Sequence, residues 1–312
     1  MKTLFVSPSY LCNEKCIFCP CHKDARRYVP ISADLVKSCI DEACTNNKID
    51  MVLISGGEPT LYKDLSEIIN YISKAGLKIG ILSNSLRFAD DTFFKSFINT
   101  VGIDFELTTA FHSLLAEEHD AVTGIKGSFE KSLKGISNLI NAGVNVTIKH
   151  VINGFSYKRL PDFAQWIYLT FPDTVSWVIC NMDLCGEALN NNSSTAIPFD
   201  ESKPYLEKAL EIVTDHHKKE RHRNVSVFNT PLCCIDPYYW GYLRKYESEE
   251  TMSALLLPSA DRNVDPVIRY DLKGDGGANF IPCQACQVKS ICPGTWRQTA
   301  EFFGSKMFKP IK

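Results

Sequence analysis

The chain carries 13 cysteines in 312 residues, and most fall in two clusters whose spacing suits metal. The front cluster reads Cys12-Asn-Glu-Lys-Cys16-Ile-Phe-Cys19, with Cys21 close behind. Three thiolates on one tight loop can hold three irons of a cubane [4Fe–4S] cluster and leave the fourth iron open to another ligand. On spacing alone, a structural zinc site or a chance group of buried thiols are the plain alternatives. Only Pro20 separates Cys21 from Cys19, which makes joint ligation of one cubane awkward. The back cluster reads Cys283-Gln-Ala-Cys286-Gln-Val-Lys-Ser-Ile-Cys292, with Cys233-Cys234 far upstream. Three such thiols and a distant fourth can close a four-thiolate site around zinc or an iron–sulfur cluster. Cys39, Cys44, Cys180 and Cys185 are scattered between the clusters, where the plain reading of a cysteine is a small buried hydrophobe.

The composition supports metal over disulfides. No apolar run approaches the roughly 18 residues of a membrane span, and the start of the chain is too short for a secretory signal. A cytoplasmic protein is expected, where thiols stay reduced and clustered cysteines bind metal. Hydrophobic residues make up 45% and charged residues 22%, which excludes a disordered chain. The net charge of −2 gives no general attraction to nucleic acid. Neither a membrane nor a nucleic-acid partner is expected.

The front cluster follows a short β-type run at 3–6, and strand and helix patterns then alternate. Further strands are expected at 51–54, 78–82, 103–108, 144–151 and 174–179. Helices are expected at 33–45, 63–75, 90–98, 128–141 and 159–169. Such alternation implies parallel strands with right-handed helical crossovers. The expected fold is α/β, a partial (β/α)6 TIM-like barrel; from pattern alone, an open doubly wound sheet is the alternative. In a barrel, chemistry sits at the C-terminal ends of the strands, where the first cysteine cluster falls. Residues 184–199 read as a loop and 200–219 as a long amphipathic helix. The basic run 216–223 reads as a solvated helix end. The back cluster lies in a Gly-, Pro- and Cys-rich stretch that reads as a small metal-stapled C-terminal domain. The expected division is 1–183 for the barrel, 184–230 for a linker and helix, and 231–312 for the small domain.

The second strand ends in Ser55-Gly56-Gly57-Glu58-Pro59-Thr60. Two residues without Cβ let the backbone approach a ligand closely, and Glu58 with its neighbouring backbone groups can meet an ammonium. This turn and the Cys-x3-Cys-x2-Cys loop, in that order on adjoining strands, resemble the radical S-adenosylmethionine (SAM) superfamily. The segment His119-Asp120-Ala-Val-Thr-Gly124 to Gly127-Ser128-Phe129 resembles the same family, as does Ser83-Asn84-Ser85 after the third strand. The resemblance implies that Cys12, Cys16 and Cys19 bind a [4Fe–4S] cluster whose open iron is chelated by SAM. It places Phe18 near the adenine and makes Gly56, Gly57 and Glu58 SAM-binding. Asn84, Thr108 and Lys149, near strand ends, are further candidates for SAM contact. Ordinary turn and sheet hydrogen bonding is their alternative.

The back cluster resembles the C-terminal SPASM and twitch extensions of radical SAM enzymes. Trp296 stands where a further cysteine would follow, so the resemblance is to the shorter, twitch-like form with one auxiliary [4Fe–4S] cluster. Its implied ligands are Cys283, Cys286, Cys292 and one of Cys233 or Cys234. The implied reaction is reductive cleavage of SAM to a 5′-deoxyadenosyl radical that abstracts a substrate hydrogen atom, with electrons from a flavodoxin- or ferredoxin-like donor. Modification of a ribosomally synthesised peptide is the leading expectation, by crosslinking, oxidation or epimerisation. Cys180 and Cys185 are then candidate hydrogen donors. Because the chain starts at the first strand, a separate leader-binding protein or direct docking is expected. The alternatives are a radical SAM dehydrogenase for a sugar or cyclitol, and a non-catalytic iron–sulfur or zinc scaffold.

Overall fold

The structure, a computed structural model, describes residues 2–21, 23–244 and 280–312, with the backbone of three short strands between them. Part of the 231–312 segment therefore lies outside the described residues. Seven strands lie side by side in chain order, each parallel to the next: β1 (Thr3–Val6), β2 (Met51–Ile54), β3 (Lys78–Ser83), β4 (Glu106–Ala110), β5 (Asn145–Ile152), β6 (Ser176–Asn181) and β7 (Val225–Phe228). Strictly sequential order excludes the doubly wound alternative, whose strand order reverses at a switch point. This curled half-barrel is the expected partial barrel with one strand more than the six read from sequence. On the other flank, β8 (Met252–Leu257) pairs parallel to β1, and β9 (Val267–Arg269) pairs antiparallel to β8.

The helices of the crossovers are α1 (Ala33–Asn47), α2 (Leu65–Lys74), α3 (Asp91–Val101), α4 (Ala116–Thr123), α5 (Ser128–Asn141) and α6 (Leu160–Thr170). Their starts follow local chemistry. Ser32 accepts from the Leu35 N–H, and Asp90 accepts from the Phe93 N–H, as N-caps do. The 184–199 stretch, read as a loop, contains two single-turn helices, α7 (Glu187–Asn190) and α8 (Asn192–Thr195); the Asn191 and Thr195 side chains bond the turn carbonyls there. The long α9 (Phe199–Lys218) leads into β7. Near the end, β10 (Gly276–Gly277) pairs with β11 (Thr295–Trp296), which α10 (Arg297–Phe303) follows. Among the described residues no helix is long and apolar enough to cross a membrane.

Strand parity separates the core from the barrel interior. Leu107, Phe111, Ile148, His150, Trp177 and Ile179 are fully buried or nearly so. The rings of Phe111, His150 and Trp177 pack on Phe129, Phe163 or Trp166 of α5 and α6. This set faces the helices. The alternate residues Thr108, Ala110, Thr147, Lys149 and Val151 are only half-buried and face the inside of the curl. Register aligns Thr108 with Thr147, Ala110 with Lys149 and Val151 with Cys180.

Candidate active site

The front cysteine loop leaves the C-terminal end of β1 and is tied down along its length. Glu58 N–H donates to Leu11 O at 2.8 Å, Lys15 N–H to Thr123 O at 2.8 Å, Ile17 N–H to Val122 O at 2.9 Å and Glu187 N–H to Cys19 O at 2.8 Å. The side chains of Asn84 and Asn191 add bonds to Asn13 Oδ1 at 2.7 Å and Ile17 O at 2.8 Å. The loop is thus clamped by the turns that follow β2, β3 and β6 and by the end of α4. The His119–Phe129 segment has its reason here. Asp120 accepts from Gly127 and Phe129 N–H groups and from Ser128 Oγ at the start of α5, which fixes the Val122 and Thr123 carbonyls beside the cysteine loop.

Cys12, Cys16 and Cys19 are all half-buried on this loop. Burial pushes the Cys12 thiol up to about 12 and the Cys16 thiol well above its usual range. Cys19 is held low by a hydrogen bond from the Cys21 thiol, which is itself pushed up. Cys16 Sγ donates to Glu14 Oε2 at 3.3 Å, and burial lifts that carboxyl to about 7. Thiolates form at such a site when a metal displaces the protons. As a donor set, the three thiols fit a three-iron hold on a cubane.

The Gly56-Gly57-Glu58 turn needs glycine for its packing within the chain. A Cβ on Gly56, at φ +114°, would lie 2.2 Å from Ser9 O; one on Gly57 would lie 2.2 Å from Leu11 O and 2.5 Å from Tyr10 O. The close approach is that of the chain's own cysteine-loop backbone. Glu58 is 2% exposed. Its Oε1 accepts from Thr60 N–H, Thr60 Oγ1 and Ser83 Oγ, and its Oε2 from Asn84 N–H at 2.8 Å. With Asn84 N–H as its donor among the described residues, Oε2 keeps a lone pair for a further cation or donor. Burial raises this carboxyl, and the four bonds pull it back down. Asn84 works within the fold: its Oδ1 accepts from Leu86 N–H and its Nδ2 holds Asn13.

Phe18 is buried among Val122, Met182, Leu184 and Ala188. Thr108 and Lys149 face the barrel interior, as does Cys180, which accepts from Asn229 Nδ2 at 3.3 Å. Cys185 sits elsewhere. Its thiol donates to Asp183 at 3.4 Å, and the next residue, Gly186, touches the Pro20 and Cys19 carbonyls. One residue in this region carried no sequence signal. His112, just beyond β4, lies edge-on to Phe18 with ring centroids 5.0 Å apart; no motif marks it, and only strand parity could have suggested it.

The back cysteines meet in a second place. Cys233, Cys283, Cys286 and Cys292 line one small pocket, with Phe280, Val288 and Phe308 among its walls. Cys234 is not on that lining; it is buried in a small cluster with Phe199, Ala300 and Phe308. Among the described residues, no three His, Cys, Asp or Glu side chains converge closely enough to hold a single metal ion.

The radical SAM superfamily model matches residues 6–167, just over half of the chain. The Fe-coproporphyrin III synthase of Methanosarcina barkeri is 28% identical over 151 residues, 48% of this chain and 37% of that protein. The mycofactocin maturase MftC of Mycolicibacterium smegmatis is 30% identical over 158 residues, 50% of this chain and 39% of that protein. The chain thus spans well under half the length of both relatives. Streptococcus suis SuiB, in its structure bound to precursor peptide SuiA, superposes with a TM-score of 0.68 at 15% identity, covering 99% of this chain and 74% of SuiB. The matched region holds the cysteine loop, the Gly-Gly-Glu turn and strands β2 to β5, and this chain belongs to the radical SAM superfamily.

Proposed function

We propose that the protein is a radical SAM enzyme that modifies a ribosomally synthesised peptide by crosslinking, oxidation or epimerisation. One observation carries the first part: a loop bearing Cys12, Cys16 and Cys19 is clamped against Gly56-Gly57-Glu58 at the C-terminal ends of adjoining strands. Cys12, Cys16 and Cys19 would hold a [4Fe–4S] cluster, and Glu58 with the adjoining backbone would meet the SAM ammonium. When bound, the cluster and SAM supply a 5′-deoxyadenosyl radical that takes a hydrogen atom from the substrate. The chain's own part is positioning and exclusion of water. Lys149 offers the barrel interior a cation for a carboxylate, and Thr108 offers a hydroxyl. Cys180 faces the same interior and is the better candidate to return a hydrogen atom in an epimerisation; Cys185 is turned toward the cysteine loop.

The peptide reading is supported by two relatives: SuiB binds a precursor peptide, and MftC is named a maturase. A twitch-like domain from about residue 231 would hold an auxiliary [4Fe–4S] cluster on Cys233, Cys283, Cys286 and Cys292. It would be joined to the barrel of 1–183 through 184–230. Electrons would come from a flavodoxin or ferredoxin, and a separate leader-binding protein would present the peptide.

The test is anaerobic reconstitution, reduction with dithionite and incubation with SAM. The assay includes any short peptide encoded beside the gene, and a sugar or cyclitol panel in parallel. Expected are methionine and 5′-deoxyadenosine, with a mass change on the peptide. Product from the sugar panel alone overturns the peptide reading. A fully loaded, reduced protein that leaves SAM unconsumed overturns the enzyme.

A further inference from the structure

An open groove runs along the outside of the barrel between α3 and α5, lined by Asn13, Arg87, Phe93, Ile125, Lys131 and Lys134 among others. Its walls come mainly from the helical layer, so it opens away from the barrel interior. One end reaches the front cysteine loop, because Asn13 is the residue after Cys12. That end is held rigidly. Asn84 Nδ2 donates to Asn13 Oδ1 at 2.7 Å, and Ser132 Oγ of α5 donates to Asn84 O at 3.0 Å. A preformed surface of this kind loses little freedom on docking.

The groove is also rich in cations. Arg87 lies over the Phe93 ring, 3.8 Å from its centroid. Lys134 pairs with Asp91 at 3.0 Å. Lys131 on α5, Lys126 just before it and Lys15 on the cysteine loop beside Gly124 are exposed. These three lysines make no ion pair among the described residues. Of the nearby carboxylates, Asp91 is taken by Lys134 and Asp90 caps α3, which leaves Glu130 on the lining. Positive charge is thus in excess here, on a chain whose net charge is −2. Resting on the radical SAM reading, which requires an electron donor, we infer that this groove docks a small acidic electron-carrier protein beside Cys12. The carrier gives up one electron and the front cluster gains it; no bond forms or breaks and no proton leaves this chain. Carboxylates of the carrier meet Lys15, Lys126 and Lys131, and the apolar surround of its redox centre meets Phe93 and Ile125. A peptide substrate fits less well, because its target C–H must lie inside the barrel. Complementary charge speeds such an encounter, and the gain fades as salt rises.

The test measures reduction of the front cluster with no SAM present. A reduced acidic flavodoxin is mixed anaerobically by stopped flow with reconstituted protein in a Cys283→Ala background, and cluster absorbance is followed. Lys126→Glu/Lys131→Glu should slow second-order reduction about tenfold at low salt and flatten its salt dependence. Reduction by a neutral small reductant, photoreduced 5-deazariboflavin, should be unchanged. Lys74→Glu, at the far end of α2, should leave both rates as they are. Wild-type rate and salt dependence in the double variant, or an equal loss in Lys74→Glu, overturns the docking site. So does a front cluster that deazariboflavin reduces and flavodoxin does not. A double variant reduced normally by flavodoxin but deficient in precursor-peptide binding gives the groove to the peptide and overturns it too. If the double variant fails to load iron, Lys126→Gln/Lys131→Gln carries the same comparison, with a loss of about threefold expected. A protein that flavodoxin reduces as described but that leaves SAM unconsumed fails the radical SAM reading alone.

Discussion

Glu58 shows how much of a binding residue's work can be internal. Its carboxylate takes four hydrogen bonds from the turns after β2 and β3. In Glu58→Gln, the amide NH2 faces a donor whichever way it is turned. Loss of buried pairing of this kind costs about 1–3 kcal/mol. The cluster-free variant should therefore melt below wild type, by circular dichroism, before any ligand is added; an unchanged melt would mean that Glu58 serves the ligand alone. The motif was legible because it follows the cysteine loop on the adjoining strand, but its partners were not, since Ser83 and Asn84 arrive from another strand. The back cysteines make a similar point. Sequence left the choice between Cys233 and Cys234 open with a slight preference for Cys233, which lines the four-thiol pocket, whereas Cys234 is packed with Phe199 and Phe308. Iron after reconstitution should fall from about eight to about four per chain in Cys233→Ala and stay near eight in Cys234→Ala. The reverse order would reassign the ligand.

At the scale of elements, the site depends on fits between backbones. The Gly57 turn lies so close to the cysteine loop that an added methyl must displace Leu11. Overpacking of this kind costs about 1–3 kcal/mol, and here it falls on the loop that carries the thiols. Gly57→Ala should lose more than half of its front-cluster iron, read in a Cys283→Ala background. Gly241→Ala should keep its iron, since its Cβ would meet nothing within 4 Å. β7 depends on a different device. The basic run 216–223, read as a solvated helix end, folds back so that Arg223 is 2% exposed. Its guanidinium donates to the carbonyls of Val175, Ile167 and Phe171 and lies over the Tyr168 ring, 4.8 Å from its centroid. It thus staples the end of α6 to the start of β7. Arg223→Ala would remove three hydrogen bonds to these carbonyls, of which Ile167 O keeps the Phe171 N–H, and should cost about 3 kcal/mol, seen as a lower urea midpoint with secondary structure intact at low denaturant. The strand escaped sequence reading because Val225–Phe228 follows the long helix and the basic run, beyond the regular strand–helix alternation that marked the others. A buried arginine in a basic run has no signature of its own.

Across the whole molecule, the alternation of elements was enough to give the partial barrel, because each parallel crossover repeats the same apolar strand and amphipathic helix. What alternation hides is the chemistry of the layer between them. Three histidines, His112, His119 and His150, lie buried in or beside that layer. Burial lowers His119 and His150 to about 4. His150 bonds Phe111 O and Ser156 Oγ through its two ring nitrogens and packs on Phe163, and His119 adds to the burial that opposes its protonation. Between about pH 6.5 and 4 the unfolded chain takes up a proton at this position and the folded chain does not. Stability from a neutral His150 is therefore complete above pH 6.5 and is lost as pH falls, by about 2 kcal/mol at pH 5. Glu14 and Glu58 run the opposite way: burial raises both, so their cost grows as pH rises above the usual carboxylate range. A wild-type pH profile mixes these slopes, and a difference between variants separates them. His150→Phe should be less stable than wild type at pH 7.5 by about 1–3 kcal/mol, from the two lost hydrogen bonds. That gap should narrow by about 2 kcal/mol at pH 5, because only wild type then carries the protonation penalty. Urea unfolding of both cluster-free proteins at the two pH values measures it; a gap independent of pH would mean that His150 is protonated in the fold as readily as in the open chain.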